Sequence, residues 1–317
     1  MAMKEEGISV VVPLFNEREN IPGLHGELRD AIGALAVPYE VIYVDDGSTD
    51  GSFDVICELA AADALTKGIR LRGNYGKSAA LIAGFREARY PVIITMDADG
   101  QDDPSQIPVF LDKLGEGYDL VSGWKKKRRD PWTRRAASRI FNLVIRKHTG
   151  LGLHDINCGF KAYRREAAKG LDIYGELYRF IPLLAHWNKF RVGEVVVAHR
   201  PRLHGRSKYR ASRYFRSFLD LFTVMLLIRY NQRPSHFFGG VGLLSSLAGF
   251  CIILYIASLR IRFGGILNRH PLLMFGVLLV IVGIQLVSFG LLSELFLRSM
   301  ARPAITSFIE EKTGIDT

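Results

Sequence analysis

The sequence predicts an α/β domain with a mostly parallel sheet, followed by a short amphipathic stretch and a membrane-spanning helical hairpin. Three observations carry this. Short, nearly continuous apolar runs alternate with helical stretches from Ile8 to Met96, the pattern of strands buried on both faces. Acidic clusters recur where those runs end. Two uncharged runs, Phe237 to Leu259 and Pro271 to Ser293, are each 23 residues long, enough for the roughly 20 residues of helix that a bilayer core requires. A buried core hairpin is the alternative, disfavoured because core helices rarely stay uncharged on every face for so long.

The elements follow in order. "ISVVVPL" reads as the first strand, a helix is expected near Glu17 to Leu35, and "YEVIYV" reads as the second strand. A helix near Gly51 to Ala62, a short strand near Ile69 to Arg72, a helix near Ser78 to Ala88 and the strand "PVIITM" complete the alternation. After Trp124 the basic run "KKKRRDPWTRRAASR", with Pro131, reads as a loop before a helix through Phe141 to Arg146; a solvated charge run is the plain alternative. From Ala211 to Ile228, Arg213, Arg216 and Asp220 fall on one helical face and Phe218, Phe222 and Met225 toward another, which suits a helix in the membrane interface.

The chain has 317 residues and a formal net charge of +10. That length suits one domain of roughly 200 residues plus a smaller part. The surplus of Lys and Arg points to anionic partners: nucleic acid, nucleotide phosphates or acidic lipid, of which two membrane spans favour the last two. "MAMKEEGISVVVPLF" has no apolar h-region ahead of its first strand, so no secretory signal is expected and the first two thirds should stay in the cytosol. Cys57, Cys158 and Cys251 are scattered, with no C-x-x-C spacing, so neither a disulfide framework nor a zinc site is indicated.

In open α/β sheets the chemistry sits beyond the carboxyl ends of the strands. Here those ends carry "FNE" (Phe15 to Glu17), "DDGSTD" (Asp45 to Asp50) and "DADGQDD" (Asp97 to Asp103). Two carboxylates in D-x-D repel each other unless a cation sits between them, and hard oxygen donors suit Mg²⁺ or Mn²⁺ carrying substrate phosphates. Asp97 and Asp99 are the leading ligands, with Gln101 adding a carbonyl oxygen; Asp-Gly pairs are also ordinary turn formers. Asp102 and Asp103, just before Pro104, read as caps for the next helix. Ser48, Thr49 and Asp50 can be plain N-caps, whereas Asp45 or Asp46 can accept from the N–H groups of a base or the hydroxyls of a ribose. "YGKS" fails as a P-loop because Leu71 stands where Gly is required, and "GLGLHD" lacks the third Gly or Ala of a dinucleotide fingerprint.

The ordered set "VVVPLFNEREN", "VIYVDDGSTDGS", "GNYGKSAALIAGF", "ITMDADGQDDP", "DINCGFKAYRR", "HRPRLHGRSKY" and "RPSHFFG" resembles glycosyltransferase family 2 of GT-A fold. More narrowly it is similar to the polyprenyl-phosphate glycosyltransferases. The resemblance implies a Rossmann-like GT-A domain over residues 1–210, interfacial helices over 211–234, a transmembrane hairpin over 235–298 and a cytosolic tail over 299–317. It implies that Pro13, Phe15, Glu17 and Asp46 line the nucleotide pocket, and that Asp97, Asp99 and Gln101 hold the metal and the donor diphosphate. Arg202, Arg206 and Lys208 match a basic segment that reaches the donor or acceptor phosphates. Arg134, Arg135, Ser138 and Arg139 match positions that grip the lipid phosphate. Asp155, in "D-x-x-x-G-F", is a nominal base or an orienting group.

The implied reaction is inverting transfer from a nucleotide sugar to polyprenyl phosphate, undecaprenyl or dolichyl, giving a β-linked lipid phosphosugar. UDP-glucose is the expected donor, with GDP-mannose, UDP-N-acetylglucosamine and modified arabinose donors left open. The implied setting is a bacterial inner membrane with the active domain cytosolic. Arg229, Arg233, Arg298 and Arg302 flank the spans as the positive-inside rule asks, but Arg260, Arg262 and Arg269 lie in the connecting loop. The implied partners are the donor, the lipid acceptor and an anionic membrane, with a homo-oligomer left open and nucleic acid excluded for want of any recognisable module. A processive polysaccharide synthase is disfavoured because no Q-x-x-R-W segment occurs. A non-catalytic membrane scaffold of the same fold is disfavoured by the intact acidic clusters.

Overall fold

The computed structural model describes residues 7–126, 152–198, 200, 234–264, 269–299 and 309–313. In the first part, β1 (Ile8–Leu14), β2 (Tyr39–Asp45), β3 (Thr66–Leu71) and β4 (Val92–Thr95) alternate with α1 (Ile21–Gly33), α2 (Ser52–Ala62) and α3 (Lys77–Glu87). Then come α4 (Ile107–Gly115), β5 (Leu120–Trp124), β6 (Lys161–Arg164), α5 (Arg165–Lys169), α6 (Ile181–Trp187) and β7 (Val192–Val196). The β-branched runs of β1, β2 and β4 are buried along their length, with Val10, Val12, Tyr43 and Ile94 clustered with Leu24 and Leu28 of α1, Phe53 of α2 and Phe110 of α4.

Eight strands form one sheet in the order β7, β5, β6, β4, β1, β2, β3, β8, where β8 is Ile309–Thr313. β1 runs parallel to β2 and β4, β2 parallel to β3, and β5 parallel to β7. β6 is antiparallel to β4 and β5, and β8 antiparallel to β3. The chain leaves β1 toward β2 and β3 on one side and returns to β4 on the other, so a crevice opens between the carboxyl ends of β1 and β4. The β1 to β4 ladder stops at Val11 opposite Thr95. Pro13, which has no N–H to offer, lies past that point.

Some elements differ from the expected ones. α1 starts at Ile21 rather than near Glu17, because Asn16 takes a φ of 55° and residues 15–20 form a loop, with proline in the first helical turn. β3 begins at Thr66, ahead of Ile69. Asp103 does cap the turn Pro104–Gln106, accepting from Ser105 N–H at 3.0 Å. Asp102 instead is buried against Lys125, 2.7 Å away. The helices expected over 141–146 and 211–228 lie outside the described residues.

The chain divides into two compact units, Met1–Ser217 with Ala304–Thr317, and Phe218–Pro303. The second contains α7 (Pro234–Phe263) and α8 (His270–Ser299). Within them Phe237–Arg262 and His270–Ser293, of mean hydropathy 2.1 and 2.6, are long and apolar enough to cross a membrane. The two helices meet through glycines: a Cβ on Gly249 would lie 2.4 Å from Gly276 O, and one on Gly242 2.5 Å from Gly283 O. Ser245 Oγ donates across to Leu279 O at 2.9 Å. Leu243, Leu247, Leu278 and Phe289 stay exposed on the pair.

Candidate active site

The parallel register sets Leu14 beside Asp45 and Asp45 beside Arg70, so the loops after β1, β2 and β3 leave the sheet together. They are laced by side chains. Asn16 N–H donates to Ser48 Oγ at 2.8 Å, Thr49 N–H to Asn16 Oδ1 at 2.8 Å, and Glu17 N–H to Ser52 Oγ at 3.1 Å. Asn20 Nδ2 donates to Glu17 Oε2 at 2.6 Å. Asp46 accepts from Tyr75 N–H at 2.7 Å and Gly76 N–H at 2.9 Å, one on each oxygen. Gly47 at φ 72° lets the loops touch, since a Cβ there would lie 2.5 Å from the Gly73 backbone. Burial pushes the Asp46 carboxyl up to about 6 against those two N–H bonds, with Asp45 adding to the rise. Asp45, fully buried, accepts from Ser48 N–H at 3.0 Å, and burial raises its carboxyl too.

Across the crevice, Asp97 follows β4. Burial opposes its ionisation, but Lys77 of α3 bonds it directly, with Lys125 and Lys161 nearby, and together they hold the carboxyl below its usual range. Burial works against the Lys77 charge as well, and Asp97 outweighs it, so that ammonium is held above its usual range. The Lys77 Nζ also sits 5.4 Å from the Tyr178 ring centroid. Asp99 is half-buried and accepts from Gln101 N–H at 3.2 Å, while Gln101 O accepts from Arg200 N–H at 3.0 Å. Arg200 forks to Glu27 at 2.7 Å and Asp103 at 2.9 Å.

Residues 152–160 pass over these strand ends. A Cβ on Gly159 would fall 2.5 Å from an Asp97 carboxylate oxygen, so any larger residue there would have to push the carboxylate aside. Thr95 Oγ1 donates to Gly159 O at 2.9 Å, and Lys161 Nζ donates to Cys158 O. Burial lowers Lys161 to about 8 and pushes the Cys158 thiol up to about 12. The charges of Asp155 and Asp97 act against that burial and favour the ammonium form of Lys161. Asp155 is buried, and Lys77, Thr95, Asn157, Lys161, Tyr163 and Tyr178 line one small cleft.

Against that geometry, the family model described as Glycosyl transferase family 2 matches residues 9–171. The chain belongs to glycosyltransferase family 2. A dodecaprenyl-phosphate galacturonate synthase from Rhizobium johnstonii is 38% identical, over 93% of this chain and 89% of that protein. An undecaprenyl-phosphate 4-deoxy-4-formamido-L-arabinose transferase from Pseudomonas paraeruginosa is 37% identical, over 90% of this chain and 84% of its own. Among solved structures, glucosyl-3-phosphoglycerate synthase from Mycobacterium tuberculosis in complex with phosphoglyceric acid aligns with a TM-score of 0.55 at 22% identity, over 69% of this chain and 79% of that one. The same protein with Mn²⁺, uridine diphosphate and glucosyl-3-phosphoglycerate aligns with a TM-score of 0.52. At such identity the likeness is one of fold, and the mixed sheet described above is the GT-A sheet.

For this family 2 protein, Pro13, Phe15, Glu17, Asp45 and Asp46 all lie at the β1 and β2 ends, and Asp97, Asp99 and Gln101 follow β4. Asp155 approaches from the segment before β6. Arg134, Arg135, Ser138, Arg139, Arg202, Arg206 and Lys208 lie outside the described residues. Sequence reasoning missed Lys77, set aside with the failed P-loop, although its loop follows β3 at the same sheet edge as the acidic clusters. It also missed Lys161, Gly159 and Glu194, whose contacts join segments far apart in the chain.

Proposed function

We propose that this protein transfers a sugar from a nucleoside diphosphate sugar to the phosphate of a polyprenyl lipid, inverting the anomeric carbon. The observation that carries the reading is the packing of Gly159 on Asp97, which brings the buried Asp155 segment and the D-x-D turn to one crevice at the β1 to β4 switch point. The names of the two relatives, both polyprenyl-phosphate sugar enzymes, support the acceptor class.

In this reading Pro13, Phe15, Glu17, Asp45 and Asp46 line the nucleotide pocket. Asp97 and Asp99, with Gln101, are the candidate ligands for Mg²⁺ or Mn²⁺ and the donor diphosphate. The donor set fits such an ion: hard carboxylate oxygens from two side chains, with the remaining positions left to phosphate oxygens and water. When bound, the ion neutralises the leaving diphosphate. Arg202, Arg206 and Lys208 supply charge-assisted hydrogen bonds to phosphates, and Arg134, Arg135, Ser138 and Arg139 do so for the lipid phosphate. A lipid phosphate is already anionic near neutrality, so Asp155 orients the acceptor or takes up its residual proton.

UDP-glucose was the donor expected from motif resemblance; the relatives' names move a UDP-linked uronate to first place, with UDP-glucose and a modified arabinose donor next. The active domain faces the cytosol, where nucleotide sugars are made, and the hairpin anchors it in the membrane. The test is a panel of labelled nucleotide sugars with polyprenyl phosphate and membranes carrying the protein, scoring chloroform-soluble label. Label should appear with one donor class, require Mg²⁺ or Mn²⁺ and vanish in Asp99→Ala. Equal labelling with metal chelated would sink the mechanism, and no lipid-phase label with any donor would favour a scaffold.

A further inference from the structure

A carboxylate outside the D-x-D and D-x-x-x-G-F motifs grips the backbone that carries Asp155. Glu194 Oε1 accepts from Asp155 N–H at 2.8 Å and from His154 N–H at 2.9 Å, and Glu194 Oε2 accepts from His154 N–H at 3.1 Å. The His154 ring nitrogen Nδ1 lies 2.8 Å from that second oxygen. The same ring stacks on Trp124, with centroids 4.1 Å apart and planes 13° from parallel. Glu194 lies in β7, directly opposite Ser122 of β5 in the sheet register. Ser122 Oγ donates to Asp155 O at 3.3 Å. Two register partners on neighbouring strands therefore hold the N–H and the C=O of one residue.

We propose that Glu194 is a positioning residue for the transfer reaction: its carboxylate fixes the main chain of His154 and Asp155 so that the Asp155 side chain meets the acceptor phosphate. This rests on the reading of Asp155 given above. The physical basis is that an ionised carboxylate accepting consecutive backbone N–H groups makes charge-assisted bonds, which a neutral amide cannot replace on both oxygens. Downstream, Thr95 and Lys161 hold the carbonyls of Gly159 and Cys158, so the segment is anchored at both ends and Glu194 sets the end that carries Asp155. A misplacement of a reacting group by about 1 Å is enough to slow a reaction about a hundredfold.

The experiment compares full-length wild type, Glu194→Gln, Ser122→Ala and Asp155→Asn, reconstituted in lipid, by kcat, donor KM, UDP affinity and melting temperature. Glu194→Gln is expected to lower kcat at least tenfold, with donor KM and UDP affinity within twofold of wild type. Ser122→Ala, which removes only the weaker carbonyl contact, is expected to lower kcat about threefold and serves if Glu194→Gln does not fold. A folded Glu194→Gln with unchanged kcat overturns the proposal, as does a parallel loss of kcat and UDP affinity, which is the mark of a merely structural role. If Glu194→Gln does not fold, unchanged kcat in Ser122→Ala overturns it. Full activity in Asp155→Asn removes the reading of Asp155 and the proposal with it, whereas an inactive Asp155→Asn beside an active Glu194→Gln removes the proposal alone.

Discussion

Asp46 is a buried carboxylate whose two oxygens hold the Tyr75 and Gly76 N–H groups, and its folded value of about 6 lies above the ordinary 3.8. The linkage has a definite sign: stability from this group is present below the unfolded value and lost as pH rises through about 6. Near neutrality the ligand-free site holds a buried charge, which a donor N–H or O–H from a nucleotide relieves. UDP affinity is therefore expected to fall about tenfold more in wild type than in Asp46→Asn between pH 7 and pH 5, because one unit below its pKa only about one carboxyl in eleven is ionised. Calorimetric titration of both proteins checks this, and matching profiles would remove Asp46 from the nucleotide pocket. Gly159 gives a second residue-level expectation. In Gly159→Ala the new methyl meets the Asp97 carboxylate, at a cost of about 1–3 kcal/mol for overpacking. Transfer should fall by about tenfold or more while secondary structure by circular dichroism is retained. The Asp97 and Asp46 clusters were legible because acid at strand ends is anomalous in a basic chain. Lys77, Gly159 and Glu194 were not, because an isolated Lys, Gly or Glu carries no signal until folding shows what it touches.

At the scale of elements, the alternation from β1 to β4 was readable from apolar runs, since parallel strands are buried on both faces and cannot hide their composition. The start of α1 was not: Asn16 enters the left-handed region to let its side chain and N–H bridge to the β2 loop, a contact between residues 32 and 33 positions apart. In the hairpin, Gly242 and Gly249 on α7 and Gly276, Gly283 and Gly290 on α8 recur every seven residues, a spacing that keeps small residues along one helical seam. A Cβ on Gly283 would meet Gly242 O at 2.5 Å and crowd Ser246. Gly283→Leu should loosen the helix pair by about 1–3 kcal/mol, read as a lower melting temperature in detergent and weaker disulfide trapping between cysteines placed at Ser245 and Leu279. Unchanged trapping would show that the helices do not meet along this seam.

For the whole molecule, the order of the sheet has a topological consequence. Ile309–Thr313 follows both apolar helices, yet pairs with β3, whose residues precede them. Two segments of one sheet cannot lie on opposite faces of a bilayer, so the pairing predicts that the residues before and after the two apolar helices lie on the same side. Reporters fused ahead of Ile8 and beyond Thr313 are expected to share one compartment, assayed by protease protection in sealed vesicles. Opposite accessibility would contradict the pairing of β8. The sequence already pointed to a hairpin with a cytosolic tail, but charge supported it only in part, because Arg260, Arg262 and Arg269 between the spans argue the other way under the positive-inside rule.

The sequence by itself determined the class of the protein: a parallel α/β domain with acid at its strand ends, the ordered motifs of family 2, and two runs long enough to span a bilayer. These are local properties, carried by composition and spacing within a few turns of chain. Only the tertiary structure decided that Lys77 answers the charge of Asp97, that Gly159 packs on the Asp97 carboxylate, that Ser122 and Glu194 grip Asp155, and that the C-terminal strand returns to the sheet. Each of these joins residues from 20 to more than 200 positions apart. Such contacts depend on which strands become neighbours, and strand order is settled by long-range packing rather than by any stretch of sequence.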